Sequence, residues 1–372
     1  MESRIRLHWF LPTGGDSRDV LPDPGRPGVR DPSRKYLTQV AVAADELGFE
    51  AVLTPCGTGC EDAWISTASL IGETDRLKFL VAFRPGLLSP TLAAQMASTY
   101  QRMSGGRMLV NVVTGAEPRE LHRFGDYADK PTRYERTGEF LAVMRGAWSG
   151  EPFDFEGRHY RVEGAMTREV PDPLPEIYFG GASDPAKDVA ASQADVYLVW
   201  GEPPEAARAQ ADDVRSRAAA LGRELRYGIR FHVIARNTSA EAWAAADALL
   251  SGISAEAVAE AQADFRSTMS EGQRRMAELH GGDSDRLEIH PNVWAGIGLV
   301  RGGAGTALVG SHQEVADRIL EYRAAGFEEF ILSGYPHLEE AHFFGEGVMP
   351  ILRDRGLIPE LARPTGPVFS FR

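Results

Sequence analysis

Cysteine is scarce in this sequence, since only Cys56 and Cys60 occur in 372 residues. So few thiols argue against a disulfide scaffold and are typical of a reducing compartment. Without a nearby histidine the pair completes only half of a zinc site. We therefore expect no bound metal.

An excess of positive charge and long apolar runs are also absent. The formal net charge is -13 and the pI is near 5.3, so the surface repels nucleic acid and anionic lipid. No stretch approaches the roughly 20 apolar residues of a membrane helix, and the first residues contain no apolar signal core. We expect a cytoplasmic protein without a nucleic-acid or membrane partner, and an anionic substrate would need a local basic pocket.

What the sequence does contain is a regular alternation of short apolar runs and helix-period segments. Short, continuous apolar strands are typical of a parallel sheet that is buried on both faces. The eight predicted strands are Ile5–Leu11, Ala51–Pro55, Leu77–Arg84, Met108–Thr114, Glu176–Gly180, Val196–Trp200, Tyr227–Ala235 and Glu329–Ser333. The main helical segments between them are Tyr36–Leu47, Ala63–Ile71, Thr91–Met103, Tyr134–Trp148, Pro204–Leu221 and Val315–Ala325. Eight repeats favour a closed TIM (β/α)8 barrel, with an open doubly wound sheet as the alternative.

Two segments interrupt this alternation. Residues 151–166 alternate around Gly157 and predict an inserted β-hairpin. Residues 240–310 begin with a long Ala-rich helical stretch and end in the glycine-rich Val300–Gly305, a candidate mobile lid. We predict one barrel domain over residues 1–358 and an extended tail over residues 359–372.

Active sites of such barrels lie at the carboxyl ends of the strands. Arg230 and His232 are two residues apart on one predicted strand, so both face the barrel interior. A buried arginine needs an anion, which is either an Asp or Glu side chain or a substrate oxyanion. Tyr335 and His337 follow the last strand, and Arg301 lies in the candidate lid.

The segment Gly180–Ser183 leads into a helix. Small residues there let backbone N–H groups approach a phosphate, and the Ser183 hydroxyl can donate as well, although an ordinary tight turn would look the same. Carboxylates at the strand ends are sparse, chiefly Asp16, Glu117 and Glu202, which disfavours a two-carboxylate glycosidase. Phosphate-binding Walker loops, nucleophile elbows and His-Glu-x-x-His motifs are also missing from the sequence.

From roughly Leu7 to Pro350, the sequence resembles the bacterial alkanesulfonate monooxygenases, which belong to the luciferase-like flavin monooxygenases. Several long blocks in one order are more specific than any single motif. They are WFLPT (Trp9–Thr13), CEDAW (Cys60–Trp64), RLKFLVAFRP (Arg76–Pro85), NVVTG (Asn111–Gly115), YFGGAS (Tyr178–Ser183), WGEPPE (Trp200–Glu205), GIRFHVIAR (Gly228–Arg236), LVRGGAGTALVG (Leu299–Gly310) and SGYPHLEEA (Ser333–Ala341).

The resemblance implies a TIM barrel with a flexible lid and a two-component system. A separate NAD(P)H-dependent FMN reductase would supply reduced FMN (FMNH2), and with O2 the enzyme would cleave a carbon–sulfur bond to give an aldehyde and sulfite. It also implies a homotetramer and a non-proline cis peptide at Ala82–Phe83. The flavin would be held by Ala82, Asn111, Thr114, Tyr134, Gly181, Ala182 and Ser183. The sulfonate would be surrounded by Trp200, Arg230, His232, Arg301, Tyr335 and His337, with Cys60 close by as a further catalytic residue.

One position departs from the family pattern. Gly14 stands where the family tends to have histidine after the WFLPT block. The substrate is therefore either a simple alkanesulfonate or a specialised sulfonate such as sulfoquinovose. Two other readings keep the fold: a deazaflavin- or flavin-dependent oxidoreductase, and a catalytically silent flavin-binding protein. The cluster of Arg230, His232, Arg301, Tyr335 and His337 disfavours the first, because a neutral substrate would leave its cations unpaired. It disfavours the second because the lid and site residues of a silent protein would be free to decay, yet here they stand together.

Overall fold

The computed structural model describes residues 4–21, 28–283 and 286–361. The strands are β1 (Arg6–Phe10), β2 (Ala51–Thr54), β3 (Lys78–Phe83), β4 (Met108–Val112), β5 (Phe153–Glu156), β6 (Arg161–Ala165), β7 (Ile177–Gly180), β8 (Val196–Trp200), β9 (Arg226–Arg236), β10 (Glu288–His290), β11 (Val293–Trp294), β12 (Ala307–Ser311) and β13 (Glu329–Ser333). The helices are α1 (Arg34–Leu47), α2 (Ala63–Ala68), α3 (Pro90–Ser104), α4 (Pro118–Arg123), α5 (Lys130–Ala147), α6 (Asp184–Gln193), α7 (Pro204–Ala220), α8 (Ser239–Leu250), α9 (Ala255–Ser267), α10 (Glu271–His280), α11 (His312–Ala324) and α12 (His337–Asp354).

Eight of these strands form a closed parallel barrel in the order β1, β2, β3, β4, β7, β8, β9 and β13, and β13 pairs with β1 to close it. All eight predicted strands are confirmed. The closed barrel is the predicted architecture, and the alternative, an open doubly wound sheet, is excluded. The predicted helical segments are also present. Gly48 (φ 90°) and Gly326 (φ 100°) follow the ends of their helices in the left-handed conformation that glycine favours.

The alternation of side chains along each strand sorts the core into two layers. Phe330 and Leu332 of β13 pack outward beneath the helices, whereas Ile331 joins the cluster inside the barrel. The same two-residue period places Ile229 and Phe231 of β9 in the outer layer. Arg230 and His232 therefore point inward, as predicted.

Two insertions extend the barrel. β5 and β6 form the predicted antiparallel hairpin. The predicted helical excursion is helical, but it is divided into α8, α9 and α10. The sequence did not reveal β10, β11 and β12, which extend the sheet beyond the barrel from the carboxyl-terminal half of β9.

The expectation of a cis bond at Ala82–Phe83 is wrong. In the described residues the cis peptides are Asp172–Pro173 and Tyr335–Pro336. Ala82 and Phe83 instead keep the extended backbone of β3. They pair in regular register with Asn111 and Val112 of β4, which trans peptides allow. The predicted extended tail falls almost wholly outside the described residues. No helix in the described part of the chain is long and apolar enough to span a membrane.

Candidate functional site

A cavity of about 370 Å³ opens at the carboxyl ends of the strands. Its floor is formed by inward-facing apolar side chains, among them Phe10, Leu53, Leu198 and Ile331, and its rim includes α10 and the loop that carries Arg301. Nine of the predicted site residues line it: Asn111, Thr114, Tyr134, Gly181, Ala182, Ser183, Trp200, Arg230 and Arg301. The cavity thus joins most of the predicted flavin residues to the two predicted anion-binding arginines.

Arg230 is a buried cation of the cavity and is only 8% exposed. Its guanidinium donates to Ser333 Oγ (2.7 Å) and to the backbone carbonyls of Phe231 and Ile331, and it lies 5.0 Å from the centre of the Phe10 ring. Among the described residues no carboxylate forms an ion pair with it. Burial, together with nearby Arg301, lowers the pKa of Arg230 to about 9. An anion in the cavity would stabilise this cation.

His232 lies beside Arg230 and is linked to it through Ser333. The Ser333 hydroxyl, which accepts from Arg230, lies 2.8 Å from His232 Nδ1. Burial and the adjacent cations Arg230 and Arg301 lower the pKa of His232 well below its ordinary value. His232 is therefore neutral at pH 7 and can serve as a hydrogen-bond donor or acceptor.

The loop that carries Arg301 closes over this pair. Arg301 Nη1 lies 3.2 Å from His232 Nε2, and the Ala304 carbonyl lies 3.1 Å from the same nitrogen. The Tyr335 ring stacks on His232 with centroids 5.4 Å apart, and its burial raises the pKa of the phenol. Tyr335 therefore keeps its proton, and its hydroxyl can donate a hydrogen bond to an anion.

At the carboxyl end of β7, two strands along the barrel from β9, α6 begins next to a glycine turn. Gly181 has φ 147°, and a Cβ added there would lie 2.6 Å from Ala186 Cβ. Ser183 caps α6, and its buried Oγ has no hydrogen-bond partner among the described residues. A buried unpaired hydroxyl at a helix N-terminus fits a phosphate group.

The remaining predicted residues lie near the cavity without lining it. His232 and His337 are buried beside the lining residues Arg301 and Phe10, Tyr335 stacks on His232, and Ala82 is buried in β3. Cys60 lies beside Thr13, and burial raises the pKa of its thiol. A Cβ added to Gly14 would lie 3.0 Å from the Gly59 carbonyl oxygen, so the loop after β2 approaches the main chain closely at this position. The catalytic and binding roles of all these residues stay predictions.

Sequence reasoning missed several polar residues of the site. Ser333 was seen only as the end of a strand and Asp16 only as a strand-end carboxylate, yet each bonds a predicted site histidine. Lys130 and Arg133 also line the cavity. Both lie in the first turn of α5, just before the predicted site residue Tyr134, and this position in the sequence could have indicated that they belong to the site.

Two comparisons place this geometry among known proteins. A family model described as Luciferase-like monooxygenase matches residues 5–329, which is most of the chain. Among solved structures, the EDTA monooxygenase EmoA from Chelativorans sp. BNC1 is 21% identical, with a TM-score of 0.77 over 96% of this chain and 95% of that one.

DmoA from Hyphomicrobium sulfonivorans is 20% identical, with a TM-score of 0.78 over 97% of this chain and 91% of that one. A riboflavin lyase, RcaE, solved with modified FMN and riboflavin, is 20% identical, with a TM-score of 0.80 over 96% and 93% of the two chains. At such identities the likeness establishes a common fold.

Proposed function

Since the chain belongs to the luciferase-like monooxygenase family, we propose that it is a two-component monooxygenase that removes sulfite from an organosulfonate. The overall reaction is RCH2SO3⁻ + FMNH2 + O2 → RCHO + HSO3⁻ + FMN + H2O. One oxygen atom enters the aldehyde and the other leaves in water. A separate NAD(P)H-dependent reductase would supply FMNH2, and a homotetramer remains part of the proposal.

The observation that supports this reaction best is the lack of a carboxylate partner for two cations of the cavity, the buried Arg230 and the half-buried Arg301. In the described part of the chain neither Arg230 nor Arg301 has a carboxylate partner, although both line the same cavity. Burying such charges is costly unless an anion joins them. A sulfonate has three oxygens that share one charge, so two guanidiniums and the Tyr335 hydroxyl can together replace its hydration shell.

The part of the cavity at the end of β7 and the start of α6 fits FMN. Its phosphate would be held by Ser183 Oγ and the N-terminus of α6, and its ring would lie near Asn111 and Thr114 above the apolar floor. A structure of the same fold supports this assignment, since RcaE was solved with modified FMN. When bound, reduced FMN supplies the electrons that activate O2. The chain's own residues hold the substrate and, with the Arg301 loop closed, exclude water.

The experiment that tests this proposal is sulfite release in the presence of FMN, NADPH, a generic flavin reductase and O2. The substrates would be a series of alkanesulfonates, taurine and sulfoquinovose. We expect sulfite only when reduced FMN, O2 and this protein are all present, and the best substrate decides between a simple and a specialised sulfonate. Absence of sulfite from every sulfonate, while reduced FMN still binds, would favour a different oxidoreductase or a silent flavin-binding protein.

Matched variants connect the reaction to the cavity. Arg230→Met and Arg301→Met should each lower kcat/KM for the sulfonate by about 10²-fold or more, because a charge-assisted contact of a few kcal/mol is lost. Arg215→Met is the control, since Arg215 lies outside this cavity and pairs with Asp212. Equal losses in all three variants would count against specific anion binding by Arg230 and Arg301.

A further inference from the structure

The carboxylate of Asp16 is completely buried in the segment that follows β1. Its Oδ1 lies 2.8 Å from His337 Nδ1 and accepts from the Ser17 backbone N–H (2.9 Å), while Oδ2 accepts from the His337 backbone N–H (2.8 Å) and from the Tyr36 hydroxyl. Burial raises the pKa of Asp16, but the hydrogen bonds and charge of His337 and the Tyr36 hydroxyl lower it by more. Asp16 is therefore ionised and can only accept hydrogen bonds.

This arrangement decides which nitrogen of His337 carries a proton. Because the Asp16 carboxylate cannot donate, His337 Nδ1 must be the protonated nitrogen. In a neutral imidazole the lone pair is then on Nε2, which has no hydrogen-bond partner among the described residues. The ring lies 5.5 Å from Phe10, which lines the cavity, and 5.7 Å from the ring of Tyr335.

We propose that Asp16 is a positioning residue that holds His337 as the Nδ1–H tautomer, so that Nε2 accepts the proton which the substrate loses when its C–S bond breaks. Oxygen insertion at the carbon that bears the sulfonate gives a 1-hydroxysulfonate. Its hydroxyl proton moves to Nε2, the O–H electron pair becomes part of the aldehyde C=O bond, and sulfite leaves with the C–S pair. The Asp16 carboxylate stabilises the imidazolium until its proton passes to water.

A purely structural role for Asp16 must be separated from this one. Asp16 Oδ2 accepts the backbone N–H of His337, the first residue of α12, and thus also caps that helix. Asp16→Asn tests the difference, because an asparagine can retain an acceptor for this backbone bond. Its amide N–H facing Nδ1 would, however, force the proton of the imidazole onto Nε2.

The first measurement is the ¹⁵N spectrum of the histidine rings in the full-length protein, with His337→Gln used for assignment. We expect the wild type to show a protonated Nδ1 and an unprotonated Nε2 at His337, and Asp16→Asn to show the reverse. Asp19→Asn is the matched control, since Asp19 lies in the same loop and bonds Ser17 only through its main chain. It should leave the spectrum of His337 unchanged.

The second measurement is steady-state sulfite release. Asp16→Asn should lower kcat by about 10²–10⁴-fold, the usual contribution of a proton-transfer group, with a nearly unchanged KM for the sulfonate. Wild-type kcat in Asp16→Asn despite an inverted tautomer would overturn the proposal. A wild-type His337 protonated at Nε2 would overturn it without any variant, even if Asp16→Asn fails to fold.

The role of His337 in proton transfer rests on the proposed function, whereas the assignment of its tautomer does not. If the wild type releases no sulfite while its ¹⁵N spectrum is as expected, the proposed substrate is wrong and the assignment of Asp16 as the positioning residue stands. If sulfite is released and the tautomer differs, the proposed function stands and this inference fails.

Discussion

Arg230 and Arg236 lie on the same strand and are both largely buried, but they have different partners. Arg236 forms a bidentate ion pair with Glu340 (2.9 and 2.6 Å), which is itself 3% exposed. Arg230 has only neutral partners among the described residues. Without a bound anion, Arg236 should therefore stabilise the fold, whereas Arg230 should destabilise it.

We predict that Arg230→Met increases the free energy of unfolding by about 1–4 kcal/mol, because an apolar side chain replaces an uncompensated buried charge. The control Arg236→Met should decrease it by about 3–5 kcal/mol, because it leaves Glu340 buried and unpaired. Urea unfolding at pH 7 measures both values. A large destabilisation by Arg230→Met would mean that Arg230 is a structural cation and would weaken the case for anion binding.

Ser183 provides a second prediction at this scale. Ser183→Ala removes a hydroxyl that has no partner among the described residues, so stability should change little, whereas the affinity for reduced FMN should fall by about 1.5–3 kcal/mol. Anaerobic titration with reduced FMN and with reduced riboflavin separates the contribution of the phosphate to binding from that of the rest of the flavin. Only FMN binding should weaken, since riboflavin lacks the phosphate. Equal losses for both flavins would move the phosphate site away from Ser183.

The sequence predicted single residues well where one strand determines their direction. The two-residue period of β9 was enough to place Arg230 and His232 inside the barrel. Asp16 and Ser333 could not be assigned in this way, because each bonds a partner more than 100 positions away in the chain. Such roles exist only after the barrel closes.

At the scale of elements, α10 forms part of the cavity rim and is held there by an ion pair. Arg275 Nε donates to Glu202 Oε1 (2.7 Å), which also accepts from Gln210 (2.8 Å), and Gly303 N donates to Gln273 (2.7 Å). These contacts join the end of β8 and the Arg301 loop to one helix. We infer that α10 and the Arg301 loop open and close together.

We predict that Glu202→Gln increases the open population of α10 about fivefold, equivalent to about 1 kcal/mol for a partly exposed ion pair. Limited proteolysis within residues 250–283 should accelerate by a similar factor. Glu278→Gln is the control, because in the described part of the chain the ion-pair partner of Glu278 is Arg274, on the exposed side of the same helix. An unchanged cleavage rate in Glu202→Gln would separate α10 from the gating of the cavity.

Elements were predicted from sequence to the extent that local patterns define them. The eight barrel strands are short but strongly apolar, and all were found. β10 and β11 have only three and two residues, and the positions of β10 are exposed or half-buried, so neither strand gives an apolar run of sufficient length. These two strands depend on the end of β9, which extends beyond the barrel. β12 pairs with this end of β9, and β11 pairs with β12.

For the whole molecule, Glu329 connects several strands at the end of the barrel opposite the cavity. Its fully buried carboxylate bonds His8 of β1 (2.6 Å), Tyr178 of β7 (3.1 Å) and Arg226 of β9 (2.8 Å). Burial raises the pKa of Glu329, but His8 and the nearby arginines lower it by more, to about 2. The folded pKa lies below the ordinary value, so the stabilisation is complete above about pH 4.5 and is lost as the pH falls toward 2.

Glu329→Gln should therefore lower the free energy of unfolding by about 3–5 kcal/mol at pH 7, and the difference from wild type should shrink as the pH falls from 4.5 to 2. Denaturant unfolding across this pH range provides the test. Glu224→Gln, at an exposed position of the same end, should match the wild type throughout. A difference that does not vary with pH would mean that the charge of Glu329 is unimportant.

The central claim, that this barrel uses reduced FMN and O2 to release sulfite from a sulfonate held by Arg230 and Arg301, is tested most directly by a single turnover. Reduced FMN, one equivalent per protein, is mixed with the best sulfonate in aerobic buffer, and sulfite is measured. We predict about one sulfite per FMNH2 for the wild type. Neither the wild type without O2 nor Arg230→Met should release sulfite in the same time. Sulfite that forms without O2, or in equal yield with Arg230→Met, would contradict the claim.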